Sequence, residues 1–527
     1  MSGKDLFVRK ASGLVRDVSA WDAMIMCFLI PGIYWPFLYG EYTMAFYPGV
    51  DLIGATLVTF LMYLPLGLLY ILLSASMPRS GGDYIWVSRG LNPPLGFMIN
   101  FYYVIIIVSW IGQFSAWETE WGLSPMFRAV GNATSNPYWT NIADYLFHPE
   151  MRLIIGIIAV LLMTLILVLG SKACMRVQWA SFAIGIFGLL VWAWIFLSVG
   201  QEGFARKFAE LGMSPDTMIT AAKSAGFSTD YNISTTVIGS TYTALNFVGF
   251  NWSAYIAGEI KGVTKSHAIA ILGALVMFTI SSAFVYAVLY AAWTPQFAAS
   301  LSYLWATGNP AYKLTGIVPL GSFIIGYVTD NPIIAAIPSF GFTVTIFAVM
   351  IGCAITTTRC MFAWSFDRLL PTKFADVDKR FASPYMTIVV TAIGGILFEI
   401  GWIYTGLFTN LLYGMLGWYI ATTLVGIAAM VIPYKRRDII EASPAAVQKK
   451  LAGVPVITIL GFLTAITSGF LAYSSIWPSI YGPVNPVFIA VALGLFVPAP
   501  IIYCIAYLYY KTRGMPLSLL HKEIPPD

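Results

Sequence analysis

Apolar residues gather along this chain into twelve runs of about 20 residues or more, separated by shorter polar stretches. They fall at about 19–46, 50–77, 95–122, 151–170, 177–199, 236–258, 267–293, 331–357, 385–404, 409–433, 456–477 and 484–510. A helix needs about 20 apolar residues to cross the hydrocarbon core of a bilayer. The pattern predicts an all-α polytopic membrane protein of about 12 transmembrane helices. Two runs differ from the rest. Span 1 is broken by Leu29-Ile30-Pro31-Gly32-Ile33-Tyr34-Trp35-Pro36, and span 6 by Asn246-Phe247-Val248-Gly249-Phe250-Asn251. Irregular backbone at membrane depth is tolerated only where it is buried in protein or lines a cavity.

The spacing of the two breaks predicts the architecture. They lie five spans apart, and five is odd, so span 6 enters the membrane from the side opposite to span 1. That relation predicts a five-plus-five inverted repeat with broken helices 1 and 6. The expected units are a tail at 1–18, repeats at 19–199 and 236–433, spans 11 and 12 at 456–510, and a second tail at 511–527. Residues 1–18 lack the cleavage site of a signal peptide and read as a tail entering span 1. Of 29 Lys and Arg residues, 23 fall on one side if both termini are cytoplasmic, against 6 on the other. This bias predicts a multi-pass protein of the cell membrane with both termini inside.

Composition agrees: 58% of residues are hydrophobic and 10% charged, where soluble domains carry roughly 25% charged residues. The net charge of +5 is spread over short loops, which argues against nucleic acid as a partner. Five cysteines and three histidines are scattered, so neither disulfides, a metal site nor any other cofactor is expected. No G-x-x-x-x-G-K-[ST] loop occurs, so the chain does not itself run on ATP. No HExxH, GxSxG or clustered His/Asp set lies in a span, and no enzyme is expected. Two sequons, at Asn132 and Asn232, fall in stretches read as outer loops.

Three motifs carry a resemblance. Met77-Pro78-Arg79-Ser80-Gly81-Gly82-Asp83-Tyr84, with Val87-Ser88-Arg89 and Leu95-Gly96-Phe97, resembles the span 2–3 signature of amino acid permeases. Those permeases belong to the amino acid–polyamine–organocation superfamily. Gly258-Glu259-Ile260-Lys261 resembles the signature after span 6, and Thr358-Arg359-Cys360 through Asp367-Arg368-Leu369-Leu370-Pro371 the one after span 8. Ser383-Pro384 before span 9 also fits. All three motifs are expected in cytoplasmic loops. The resemblance implies the five-plus-five fold and transport of amino acids or related organic amines. Some proton-coupled members place a lysine within span 5. Here residues 177–199 contain none, leaving sodium, another proton carrier or exchange.

An unwound helix frees amides that hold a carboxylate and carbonyls that hold an ammonium group or cation. The substrate-binding candidates in span 1 are therefore Ile30, Gly32 and Ile33 through their backbone, with Tyr34 as a side chain. Pro31 removes one amide donor there. In span 6 they are Asn246, Phe247, Gly249, Phe250 and Asn251, with Phe247 or Phe250 as a cover. Thr343 and Thr345 of span 8 are candidates for a coupling ion, sodium or proton. Glu41, Glu118 and Glu120 read as solvated residues near the outer surface. The function expected is a permease working by alternating access on a small molecule. A membrane sensor that binds an amine without net transport is the other reading, weakened by short inner segments.

Overall fold

The computed structural model describes residues 13–314, 318–378, 380–405, 414–476, 486–514, 517 and 521. Within them the chain is a helical bundle. Ten helices are long and apolar enough to cross a membrane as they stand, and the two interrupted segments bring the spans to twelve. Span 1 is Ala20–Leu29 followed by Trp35–Phe46, and span 2 is Leu52–Ser76. Spans 3, 4 and 5 are Pro93–Trp117, Pro149–Val168 and Ser171–Glu210. Span 6 is Ile233–Thr243, a tight turn at Ala244–Phe247, and Trp252–Glu259. Spans 7 to 10 are Val263–Ala292, Pro332–Phe366, Tyr385–Thr405 and Gly414–Lys435. Span 11 is Val456–Ser474, and span 12 is Pro486–Gly494 with Pro498–Thr512. The expected helical residues 409–413, 477 and 484–485, most of the first tail and much of the second lie outside the described residues.

Local chemistry sets many of the helix starts. Ser19 and Asp22 form a reciprocal capping box at span 1, satisfying amides that the first turn leaves free. Asp51 caps span 2 through Gly54 N at 2.7 Å, and Asn331 caps span 8. Proline opens spans 3, 4 and 8, where its missing N–H costs nothing.

The packing repeats with a shift of five. Span 1 packs on span 7 and span 6 on span 2; span 5 packs on span 8 and span 10 on span 3; span 4 packs on span 8 and span 9 on span 3. Spans 2 and 7, and spans 3 and 8, pack on each other. This exchange symmetry is what two interlocked five-helix units produce. Span 11 lies outside it, against spans 10 and 2.

Three expectations need correction. Span 8 continues to Phe366, so Thr358–Phe366 forms its last turns rather than a loop, and Gly258-Glu259 likewise ends span 6. A charged residue fits inside a buried helix end when a partner neutralises it, and Arg359 has one. Asp83–Gly90 is a short buried helix, not an open loop. Finally, Glu41 and Glu118 are 2% and 5% exposed, not solvated. Helix Pro295–Ala306 covers Glu41, which accepts a hydrogen bond from Ser302.

Candidate functional site

The two breaks touch. At span 1 the helix stops at Leu29, Gly32 takes φ +79°, and Trp35 restarts it. At span 6 Gly249 takes φ +101° between Phe247 and Trp252. Both angles lie where L side chains are strained and glycine is not. A Cβ on Gly249 would overlap the Ile30 side chain, and one on Gly32 would overlap the Trp35 indole. Each glycine therefore allows both the turn and the close approach.

A cavity of about 40 Å³ opens between the breaks. Ile30, Pro31, Leu245, Asn246 and Val248 contribute from the breaks, and Val349 and Cys353 from span 8. Trp110, Gln113, Phe114 and Trp117 form one stripe of span 3. Trp35 closes over the breaks: its Nε1 donates to Ile30 O at 3.3 Å, and its ring stacks on Phe114 at 5.5 Å. The space holds only a few water molecules, whereas ligand pockets run to about 300 Å³ or more. As it stands, the cavity is closed to a ligand of that size.

Not every expected residue faces this cavity. Ile30 and Asn246 do. Gly32 and Gly249 shape it. Ile33 points toward Gly185 and Thr345 instead. Tyr34 is wedged between spans 5 and 8, its hydroxyl donating to Gly185 O at 3.1 Å and its ring stacked on Phe342 at 5.1 Å. Phe247 and Phe250 pack around Tyr63 of span 2, at 5.9 and 5.6 Å. Asn251 is fully buried, and among the described residues neither of its side-chain polar atoms has a hydrogen-bond partner. Thr343 donates to Ser339 O and lies against Gly122, in the turn that follows span 3. Thr345 donates to Phe342 O, with its methyl beside Gly185.

The span 3 stripe was missed. Its spacing of three and four residues around a lone glutamine was visible in the sequence, but aromatic residues in a span read first as packing. Gln178 of span 5 was missed too. It donates to Ala348 O at 2.8 Å beside the first break, and its own oxygen is unpartnered among the described residues.

The three sequence motifs converge at the Arg-rich end of the bundle and seal it. Arg359 of span 8 grips Glu259 at the end of span 6, with Nε–Oε1 2.6 Å and Nη2–Oε2 3.0 Å; Ser171 also donates to Glu259. Arg89 grips Asp367 with bonds of 2.6 and 2.8 Å, and Tyr84 donates to the same carboxylate. Both arginines are buried. The segment before span 1 straps over this end: Val18 N donates to Glu259 O and Lys261 N to Val18 O, each at 3.0 Å.

Asp83, between spans 2 and 3, is the buried acid of this layer without an arginine among the described residues. It accepts from Asn100 at 2.6 Å and from Tyr255 of span 6 at 3.1 Å. Tyr70 of span 2, Tyr103 of span 3 and Cys360 of span 8 complete its surroundings. Burial lifts its carboxyl from the ordinary range to about 7, against the pull of those two hydrogen bonds. Opening this end to water would return the group toward its ordinary value near 4. The proton is therefore held more tightly in the closed form. Closure is favoured most below about pH 4, weakens as pH rises from about 4 to about 7, and levels off above that. Hydrogen exchange of residues 252–259, corrected for intrinsic rates, is expected to speed up as pH rises from about 4 to about 7 and to lose this step in Asp83→Asn. An identical step in the variant would remove Asp83 as its source.

A family model described as amino acid permease matches residues 21–498. The methylthioribose transporter of Bacillus subtilis (strain 168) is 29% identical over 195 residues, which is 37% of this chain and 37% of that protein. The match thus spans little more than a third of that relative's length. A Na+-coupled sialic acid symporter, solved substrate-bound and outward-open, superposes with a TM-score of 0.51 at 14% identity, over 88% of this chain and 92% of that one. This likeness concerns the fold. With twelve spans, two broken helices meeting at a cavity and a family match along nearly its whole length, the chain belongs to the amino acid permease family of membrane transporters.

Proposed function

We propose that this protein is a secondary active transporter of amino acids or related organic amines, working by alternating access at the cell membrane with both termini cytoplasmic. The observation that carries the reading is the meeting of the two breaks at a buried cavity, above an end sealed by ion pairs. Half-helix ends at Ile30–Ile33 and Asn246–Asn251 offer free amides and carbonyls to a carboxylate and an ammonium group. The repeats at 19–199 and 236–433 would supply one bundle that rocks against the other. Opening the Arg-rich end would separate Glu259 from Arg359 and Tyr255 from Asp83, exposing the cavity on that side.

The drive is a sodium or proton gradient, or exchange. The sodium coupling named for the sialic acid symporter and the polar Gln178 beside the first break favour testing sodium first. Purified protein in liposomes preloaded with mixed amino acids is expected to take up labelled amino acid saturably. Uptake under a sodium gradient, a pH gradient or neither separates the three drives. Folded protein that moves no amino acid or amine under any condition would overturn this reading.

A further inference from the structure

Among the described residues the wall of the cavity carries no charged side chain. Its polar side chains are neutral, Gln113 and Asn246 foremost, and its bulk is the aromatic group Trp35, Trp110, Phe114 and Trp117. Among the described residues, no Asp, Glu, Lys, Arg or His lines it. The stretch 406–413, just before Met415 of the lining, carries no charged residue either. Glu118 follows Trp117 in sequence but is not among the lining residues; a π-helical turn begins there and shifts the face it presents.

Two observations define what this wall accepts. First, two of the rings already have one face covered, which reduces what they offer a cation. Attraction to an aromatic ring needs an open face. One face of Trp35 is stacked on Phe114 at an interplanar angle of 22°, and one face of Trp110 on Trp252 at 13°. Second, two polar atoms at the wall are buried and unpartnered among the described residues: the Trp117 indole N–H and the Asn246 side-chain oxygen. One donates and one accepts. A buried polar group without a partner is unfavourable until something satisfies it, and here a neutral hydroxyl, amide or ring N–H would.

We propose that this transporter selects solutes whose side group is uncharged, apolar or neutral hydrogen-bonding, and rejects those that bring a further charge. The inference rests on reading the cavity as the transport site. The two helix breaks balance the carboxylate and ammonium groups of an amino acid. A third charge would lie in a low-dielectric wall with no counter-charge, and such burial is strongly unfavourable. The same wall suits a neutral solute lacking both groups; methylthioribose, named for the Bacillus subtilis relative, is one.

The test is uptake into proteoliposomes of labelled tryptophan, leucine, glutamine and methylthioribose against lysine, arginine, glutamate and putrescine. Each neutral amino acid is expected to exceed each charged solute by more than about tenfold in kcat/KM. Asn246→Asp and Gln113→Glu each place a carboxylate on the wall and are expected to raise lysine relative to leucine by about tenfold or more. Comparable uptake of lysine or putrescine by the native protein would overturn the inference while leaving the proposed function in place. If that uptake vanished in Glu118→Gln, selection would pass to Glu118. Uptake of methylthioribose alone would sustain the neutral wall and overturn the amino acid reading. Folded protein that moves nothing in the panel would overturn both.

Discussion

Replacing Gly249 by alanine is expected to abolish uptake, lowering it by more than about tenfold at equal amounts of folded protein. Two effects combine at this residue. Its φ of +101° is one that a side chain resists, at roughly 1–2 kcal/mol. The added methyl would also overlap Ile30 across the breaks, and overpacking costs typically 1–3 kcal/mol. Since about 1.4 kcal/mol is a factor of ten, the two effects acting together at the contact between the breaks suffice to separate or freeze them. Gly226, whose φ is also positive but where a Cβ would meet nothing within 4 Å, is the control: Gly226→Ala shares the backbone effect and is expected to keep uptake within a few-fold. Equal losses at both positions would show that backbone strain, not contact between the breaks, is what matters.

The second large effect is at the Arg-rich end. Arg359→Met would leave Glu259 buried without its partner, which destabilises by about 3–5 kcal/mol. The closed form bears that penalty, because opening hydrates Glu259. The variant is expected to populate the open form and lose gradient-driven accumulation. Glu259→Gln with Arg359→Met is expected to recover part of the closure, since a neutral pair leaves no stranded charge. A double-mutant cycle read by hydrogen exchange at residues 252–259 measures the coupling. A coupling near zero would show that the pair does not hold this end shut.

Much of the architecture was legible because the bilayer allows few solutions. Twelve apolar runs had to be helices, and the glycines at 32 and 249 had to mark where two of them fail. The charges mark the limit of that reading. Arg359 and Glu259 sit a hundred residues apart, and each alone looked like a solvated loop residue. Their pairing, which draws both into helix ends, exists only once spans 6 and 8 meet. Glu41 shows the same limit: its position in the sequence suggests the outer surface, and nothing in the sequence shows that helix Pro295–Ala306 folds over it. At the cavity, backbone irregularity located the breaks but could not say which way a side chain turns. Tyr34 and Phe247 point into helix grooves, while the span 3 stripe supplies the wall. A residue beside a break can turn to either face of the chain, and neighbouring spans decide.

Cys353 lines the cavity and is fully buried, so it reports directly on whether a solute binds there. In a variant keeping Cys353 as the sole cysteine and retaining uptake, its alkylation by a small membrane-permeant maleimide is measured with and without the transported solute. Slower alkylation, half-maximal at the solute concentration that half-saturates uptake, is the predicted result. Unchanged alkylation at saturating solute, while uptake proceeds, would contradict the claim that the two breaks form the transport site.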